Sequence, residues 1–351
     1  MSTFTRFDSE DIVQGSVSKN ITSGLFSGGA GAMTTFHTSS AQTASAAGTN
    51  YYWDVYHQDP DDSAYNDSAE VQFQISYGHY AGSGSYTADA TAGLYPSRAI
   101  YSQFRNLLLD SPTPTTTFKL ADNTDVKSAV FITLERSKFK EQLDKGDWHI
   151  EFANSGTGNN FIVTDDSSKA AATIENGHVV YNIVSGSSGT AGVYESSGEY
   201  DYWGKVYPEL GIIMLEGEKM LGDTVGNNAT HLNLGTISSD LGESSNANDN
   251  VQKYVYNSLV NFTGRADEDI SSTFYFVRAK NSEYNFSTNE TFVSGDAGRL
   301  RHGSMIGDPQ VYISTVGLYN GRRELLAVAK LSKPLLKNYE REATIRIKLD
   351  Y

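Results

Sequence analysis

Residues 147–152 read Asp-Trp-His-Ile-Glu-Phe, with Trp148, Ile150 and Phe152 separated by His149 and Glu151. A two-residue period puts three large apolar side chains on one face of an extended chain and the polar ones on the other, as in a half-buried strand. The same signal recurs on both sides, in SAVFITL (128–134), NNFIVTD (159–165) and HVVYNIVSG (178–186). SGTGNN (155–160) and SGSSGTAG (185–192) read as turns or exposed loop tips. Between the first two strands, RSKFKEQLDKG (136–146) predicts a short helix with Phe139 and Leu143 four apart, closed by Gly146. Short strands at this spacing predict an antiparallel sandwich-like or barrel-like domain over 113–200.

Toward the N-terminus, VQFQISYG (71–78) alternates Val71, Phe73, Ile75 and Tyr77 with Gln72, Gln74 and Ser76 and predicts another strand. After the loop AGSGSYTADATAG (81–93), Pro96 and Ser97 mark a helix start. Ile100, Phe104, Leu107 and Leu108 form one face of that helix until Asp110, Ser111 and Pro112 stop it. The first 60 residues are poor in aliphatics and rich in Gly, Ser, Thr and Ala, so an extended arm or long loops are expected in place of a packed core, ordered only against another subunit.

Toward the C-terminus, LGIIML (210–215) is a buried strand, and NANDNVQKYVYNSLVNF (246–262) is a helix with Val251, Val255 and Leu259 on one side. TFYFVRAK (273–280) and EYNFS (283–287) read as strands. Then QVYISTVGLY (310–319) and ELLAVAKL (324–331) flank Asn320-Gly321, the pair that most favours a tight reversal. Ile345, Ile347, Leu349 and Tyr351 alternate with Arg346, Lys348 and Asp350, as expected of a terminus tied into a sheet. The expected class is mainly β with a few short helices (α+β). Its three regions are 1–112, an arm and small α+β region; 113–200, β-rich; and 201–351, a C-terminal α+β assembly domain.

Among 351 residues there is no cysteine, which removes thiol catalysis, disulfide scaffolds and thiolate zinc sites. No apolar run has the length of a membrane span, and the first residues lack the basic and apolar regions of a signal peptide, so assembly in a cytoplasm and no membrane partner are expected. With no signal, six Asn-x-Ser/Thr triplets are read as chance in a Ser/Thr-rich chain. A net charge of −15 argues against a nucleic-acid partner. That charge is divided unevenly. Residues 301–351 hold nine Lys/Arg and five Asp/Glu, a net of +4, whereas the other 300 residues hold 18 and 37, a net of −19. Opposite signs on one chain suit packing of copies or neighbours in an assembly.

Catalytic chemistry is sparse. The seven histidines (His37, His57, His79, His149, His178, His231, His302) never stand at i, i+2 or i, i+4, and His149 and His178 read as sheet residues. Asp59, Asp61 and Asp62 form an acidic knot in HQDPDDS that matches no calcium-loop spacing and reads as a solvated turn. GGAGA (28–32) and SGTGNN lack the strand, helix and lysine of a phosphate cradle, and no motif calls for a cofactor, a metal or a catalytic residue. The aromatic clusters YYWDVY (51–56), YESSGEYDYW (194–203) and FYF (274–276) suit cross-strand pairs and interfaces, or a carbohydrate-stacking platform.

Seven phrases carry a family likeness: SGLFSGGAGAMTTFHTSSAQT, AEVQFQISYGHYAGSGS, AIYSQFRNLLLD, YPELGIIML, FYFVRAKNSEYNFSTNETFV, QVYISTVGLYNGRRELLAVAKLSKPL and IRIKLDY. Together they resemble the virion structural proteins of large contractile-tailed, T-even-like bacteriophages, including those of cyanobacteria, most strongly from about 270 onward. The resemblance implies a structural component without an enzymatic reaction. A tail baseplate wedge subunit heads the expectations, with other virion proteins and copies of itself as partners. Two alternatives stay open: a neck or head-decoration protein, and a tail protein that binds or hydrolyses host glycan through the aromatic clusters and Asp59, Asp61 and Asp62.

Overall fold

The computed structural model describes residues 4–43, 51–82, 95–153, 160–187, 190–191, 202–221, 247–295 and 298–350. Its principal strands, in chain order, are β1 (Ile12–Gly24), β2 (Ala32–Met33), β3 (Trp53–Tyr56), β4 (Val71–His79), β5 (Ser128–Leu134), β6 (His149–Phe152), β7 (Phe161–Asp165) and β8 (His178–Ser187). They continue with β9 (Tyr202–Tyr207), β10 (Ile212–Glu216), β11 (Leu259–Thr263), β12 (Arg265–Ala279), β13 (Val311–Tyr319), β14 (Leu325–Lys337) and β15 (Ala343–Asp350). The two longest helices are α1 (Pro96–Leu108) and α2 (Ala247–Ser258). The protein is mainly β and antiparallel, with short helices. Among the described residues no helix is long and apolar enough to cross a membrane.

Two compact units divide the chain, one of Ile21–Glu268 and one of Met1–Asn20 with Asp269–Tyr351. The first is built on a single antiparallel sheet in the order β2-β11-β6-β7-β8-β9-β10-β5-β4-β3. The register sets Trp53, Ile75, Ile132, Ile213, Val206 and Tyr181 side by side across six strands. All six belong to one buried cluster, because strand periodicity keeps every second residue on the same face. At the two ends of the path, His37 and Tyr56 exchange backbone N–H···O bonds of 3.1 and 2.8 Å, so the sheet curls round this core. Val251 and Val255 of α2 complete the filling.

On the opposite face, Phe131 and Met214 meet α1. Pro96 opens the helix at a position where its missing N–H costs nothing. Tyr101 is wholly buried, donating its hydroxyl to the Val126 carbonyl at 2.6 Å, and Phe104 stacks on Phe131 at 3.9 Å. Gly78 of β4 makes room for this helix: a Cβ there would lie 2.8 Å from the Tyr101 nitrogen. The expected helical face needs one correction, since Leu107 is exposed and Tyr101 takes its place.

Other expectations are corrected as well. The first 60 residues are no bare arm: Leu25, Phe26, Met33, Trp53 and Val55 all lie in the main core. Their apolar residues are few but large, and the glycines between them form a tight turn, with Gly28 and Gly29 at φ 74° and 75° beside the Phe26–Ala30 bridge. Strands from all three expected regions, 1–112, 113–200 and 201–351, pair into the one sheet, because its order is set by non-local pairing. The 136–146 helix is a single turn, Arg136–Phe139, and Leu143 lies in a two-residue strand. Leu259 opens β11 and does not extend α2, and EYNFS is turn and coil. Most of AGSGSYTADATAG and SGTGNN, together with Tyr194, Tyr200, His231 and Tyr351, lies outside the described residues.

In the second unit, β12 and β15 pair in continuous register from Ser272↔Asp350 to Ala279↔Ala343. Ile345 and Ile347 are buried and Leu349 packs beside them, while Thr344, Arg346 and Lys348 face outward. The alternation of the C-terminal segment thus makes a strand.

Candidate assembly surface

β13 and β14 form a two-stranded antiparallel hairpin. A hairpin of this kind is marginal in water unless one face is packed. Here that face carries Ile313, Val316, Leu318, Ala327, Ala329 and Leu331, set against Ile345, Ile347, Tyr275, Val277 and Phe7. Alternation sends Leu326 and Val328 outward, the register shift between Leu318 and Tyr319 leaves Leu325 exposed as well, and this set is apolar too. Leu326 is 68% exposed, Tyr312 66%, Val328 59% and Leu325 53%, with Tyr319 exposed among them. Gly317, opposite Val328, lies under the Tyr319 ring, where a Cβ would come within 2.9 Å of it. Apolar side chains grouped on one exposed face mark an interaction surface in a soluble protein, whereas scattered ones need no explanation.

The reversal is wider than the Asn320-Gly321 pair suggests. Asn320 accepts backbone N–H groups from Arg322 and Glu324 on its side-chain oxygen, each at 2.9 Å, and its own side-chain amide donates to the Glu324 carboxylate. The residue with positive φ is Arg323, at 65°, not Gly321. Its guanidinium lies 5.5 Å from the centre of the Phe4 ring, and Phe4 meets Tyr319 edge-on at 5.0 Å.

Charge completes the surface. Arg322, Lys330 and Lys333 are exposed, and among the described residues none has a carboxylate partner. Glu324, the one acid within 310–337, is taken by Asn320. Between Ile313↔Leu335 and Thr315↔Lys330 the register shifts, which is where Pro334 fits without losing a ladder bond. Lysines and a bulged proline along β14 discourage open-ended strand pairing, so the face, not the edge, is left for contact.

The residues singled out from sequence are placed differently. Asp59 and Asp62 serve their own backbone turn, and Asp61 ties it to the 39–40 segment. Asp59 accepts the Asp61 N–H at 3.0 Å, Asp62 accepts that of Ala64 at 2.9 Å, and Asp61 accepts that of Ser40, which holds its carboxyl below the ordinary value. Tyr51, Tyr52 and Tyr65 are exposed around them, while Trp53 is buried. His149 lies beside Asn261 at 3.3 Å, and His178 faces Glu209 at 3.5 Å. Burial pushes His79 down to about 4. Among the described residues no three His, Asp or Glu side chains gather as metal ligands.

A depression of about 420 Å³ is lined by Asp144, Lys145, Gly146, Asp147, Ser167, Ser168 and Tyr181, which sequence reading did not single out. Burial, then the charges of Asp267 and Asp147, raise the Asp144 carboxyl to about 6. Asp147 is paired with Arg265 at 3.1 Å. Beside it Asp165 is spent on structure, accepting the Trp148 indole N–H at 2.5 Å and the Gly146 and Ser167 N–H groups. Its role was not legible because residues 144–147 and 165 are separate in sequence.

No protein-family model matches the chain, and no curated protein or solved structure does.

Proposed function

We propose that this protein is a non-enzymatic structural subunit of a bacteriophage virion, a connector in the tail baseplate of a contractile-tailed phage. The observation that carries the reading is the hairpin face on which Tyr312, Leu325, Leu326 and Val328 stand exposed beside cations that, among the described residues, have no carboxylate partner. A subunit that meets neighbours through such a face covers it on assembly, and each Å² of apolar surface removed from water contributes about 25 cal/mol. The division of charge between residues 301–351 and the remainder supports it, as does the resemblance of seven sequence phrases to phage structural proteins. The test is to locate the chain in intact, purified virions by electron cryo-microscopy. Density for it in the baseplate is expected. Density in the neck or on the head selects the decoration reading, and absence from the particle overturns both.

The depression beside Asp144 favours a second reading, a glycan-binding or glycan-hydrolysing tail protein. A carboxyl with a pKa near 6 suits proton donation at neutral pH, and a partner carboxylate stands in Asp147. Incubation with host polysaccharide is expected to give no cleavage. Turnover that Asp144→Asn abolishes would put this reading first.

A further inference from the structure

We infer that the outer face of the β13–β14 hairpin binds the 51–70 segment of a second copy of this chain, in a head-to-tail contact. The inference rests on the structural-subunit reading and names the partner of that same face.

The occupant follows from charge. Residues 310–337 contain five Lys/Arg, all exposed but the buried Lys337, and one acid, whereas residues 51–70 contain six acids, of which Glu70 is paired with Lys138, and no Lys or Arg. Asp61, Asp62 and Asp67 are exposed, and among the described residues none of them is in an ion pair. Among the described residues, each surface therefore carries charges without an ion-pair partner, and the signs are opposite. A symmetric contact of hairpin on hairpin would set Arg322, Lys330 and Lys333 of one copy against the same cations of the other. Like charges in register oppose that arrangement, so the contact is heterologous.

Shape and chemistry agree. The acidic segment carries three exposed rings, Tyr51, Tyr52 and Tyr65, a residue type enriched at interfaces because it covers apolar surface and keeps a polar tip. It is also held in place before any partner arrives. The Asp62 carbonyl accepts N–H groups from Tyr65 and Asn66 at 2.9 and 2.8 Å, and the Tyr65 carbonyl accepts those of Ser68 and Ala69 at 2.8 Å each. A preformed loop loses little freedom on docking. The hairpin offers a matching apolar strip, with its cations placed to meet the carboxylates. A contact of this kind repeats from copy to copy and closes into a ring if the rotation between copies permits.

The experiment is charge reversal with a swap, read by analytical ultracentrifugation of the full chain. The wild type is expected to self-associate at low salt and to shift toward monomer in 0.5 M NaCl, because exposed charge pairs are screened there. Arg322→Glu/Lys330→Glu/Lys333→Glu makes the hairpin acidic, and Asp61→Lys/Asp62→Lys/Asp67→Lys makes the loop basic. Each variant alone is expected to lose at least tenfold in association constant, while an equimolar mixture, whose junctions are again complementary, regains it. Asp61→Asn/Asp62→Asn retains the turn acceptors and is expected to weaken association with an unchanged circular dichroism spectrum, which separates a charge effect from a misfolded loop. A wild type that stays monomeric at 100 µM, association indifferent to the variants, a mixture that fails to recover, or a face covered only by a different virion protein overturns the inference. These outcomes leave the location of the chain in the particle unaffected, so the contact and the structural role fail separately.

Discussion

The large sheet and the β13–β14 hairpin use the same alternating grammar and end in opposite situations. In the Ile21–Glu268 unit β5 and β10 are covered on both faces. Ile132 and Ile213 point into the central cluster, and their strand neighbours Phe131 and Met214 point into the α1 layer. In the hairpin Ala327 and Ala329 point inward while Leu326 and Val328 point into solvent. A strand apolar on both faces is therefore not by itself a buried strand. Whether its second face is covered depends on whether another part of the chain is left to lie on it, as α1 lies on β4 and β5.

The difference is measurable, and the largest effect belongs to the covered sheet. Phe73 is wholly buried with rings of Phe262 and Phe36 at 5.4 and 6.2 Å. Phe73→Ala is expected to lower the unfolding free energy of its unit by about 3–5 kcal/mol in a denaturant titration. A loss below 1 kcal/mol would mean that this core is far looser than its packing suggests.

Each unit also buries ionisable groups, and two of them, Glu216 and Lys337, are treated differently. Glu216 in β10 is 4% exposed, and burial raises its carboxyl to about 7, only partly offset by the Lys219 N–H at 2.5 Å. The folded state therefore holds this proton more tightly than the unfolded chain. Its contribution is fully present below about pH 4.5 and is lost as pH rises through 7, by something like 3 kcal/mol in all. Glu216→Gln should flatten that part of the stability-against-pH curve, and an unchanged slope between pH 5 and 7 would remove Glu216 as its source. Lys337, at the end of β14, is fully buried but well served, with its ammonium donating to the Asn281 and Asn338 carbonyls at 3.0 Å and the Asn285 side-chain oxygen at 2.8 Å. Lys337→Met leaves these acceptors unpaired and is expected to cost about 1–3 kcal/mol, seen as faster amide exchange across 281–285.

The smallest effect on stability is expected at the exposed face. Leu326→Ser removes an apolar side chain that the folded chain does not bury, so its unfolding free energy should stay within about 0.5 kcal/mol of the wild type. Self-association should nevertheless weaken in the ultracentrifuge. Loss of stability comparable to that of Phe73→Ala would show that the face is covered within the chain, and the contrast between sheet and hairpin would fail.

Alternation was legible residue by residue in VQFQISYG, DWHIEF and IRIKLDY, because a period of two is a local property of extended backbone. The mainly β class followed from such segments, as did α1 from Pro96 and its apolar spacing. The exposed hairpin face was half legible: its strands and reversal could be read, but Leu326 and Val328 look no different in sequence from the buried Ile212 and Met214.

What only the tertiary structure decided is everything that depends on pairing over distance. Trp53 and Tyr181 share one row across the sheet although 128 positions separate them, and nothing in either segment announces it. The Gly-rich start read as a bare arm because composition averages over residues, whereas burial acts on single side chains such as Phe26 and Trp53. Asp59, Asp61 and Asp62 read as a solvated turn, and the structure places them in one, adding the tie from Asp61 to Ser40 that sequence did not announce. The cluster of Asp144, Asp147 and Asp267 exists only because β12 and the 142–147 segment are brought together. Sequence sets which faces a strand offers; the order of the strands sets which of those faces remain free, since each is covered only by a segment that the folded topology brings to it.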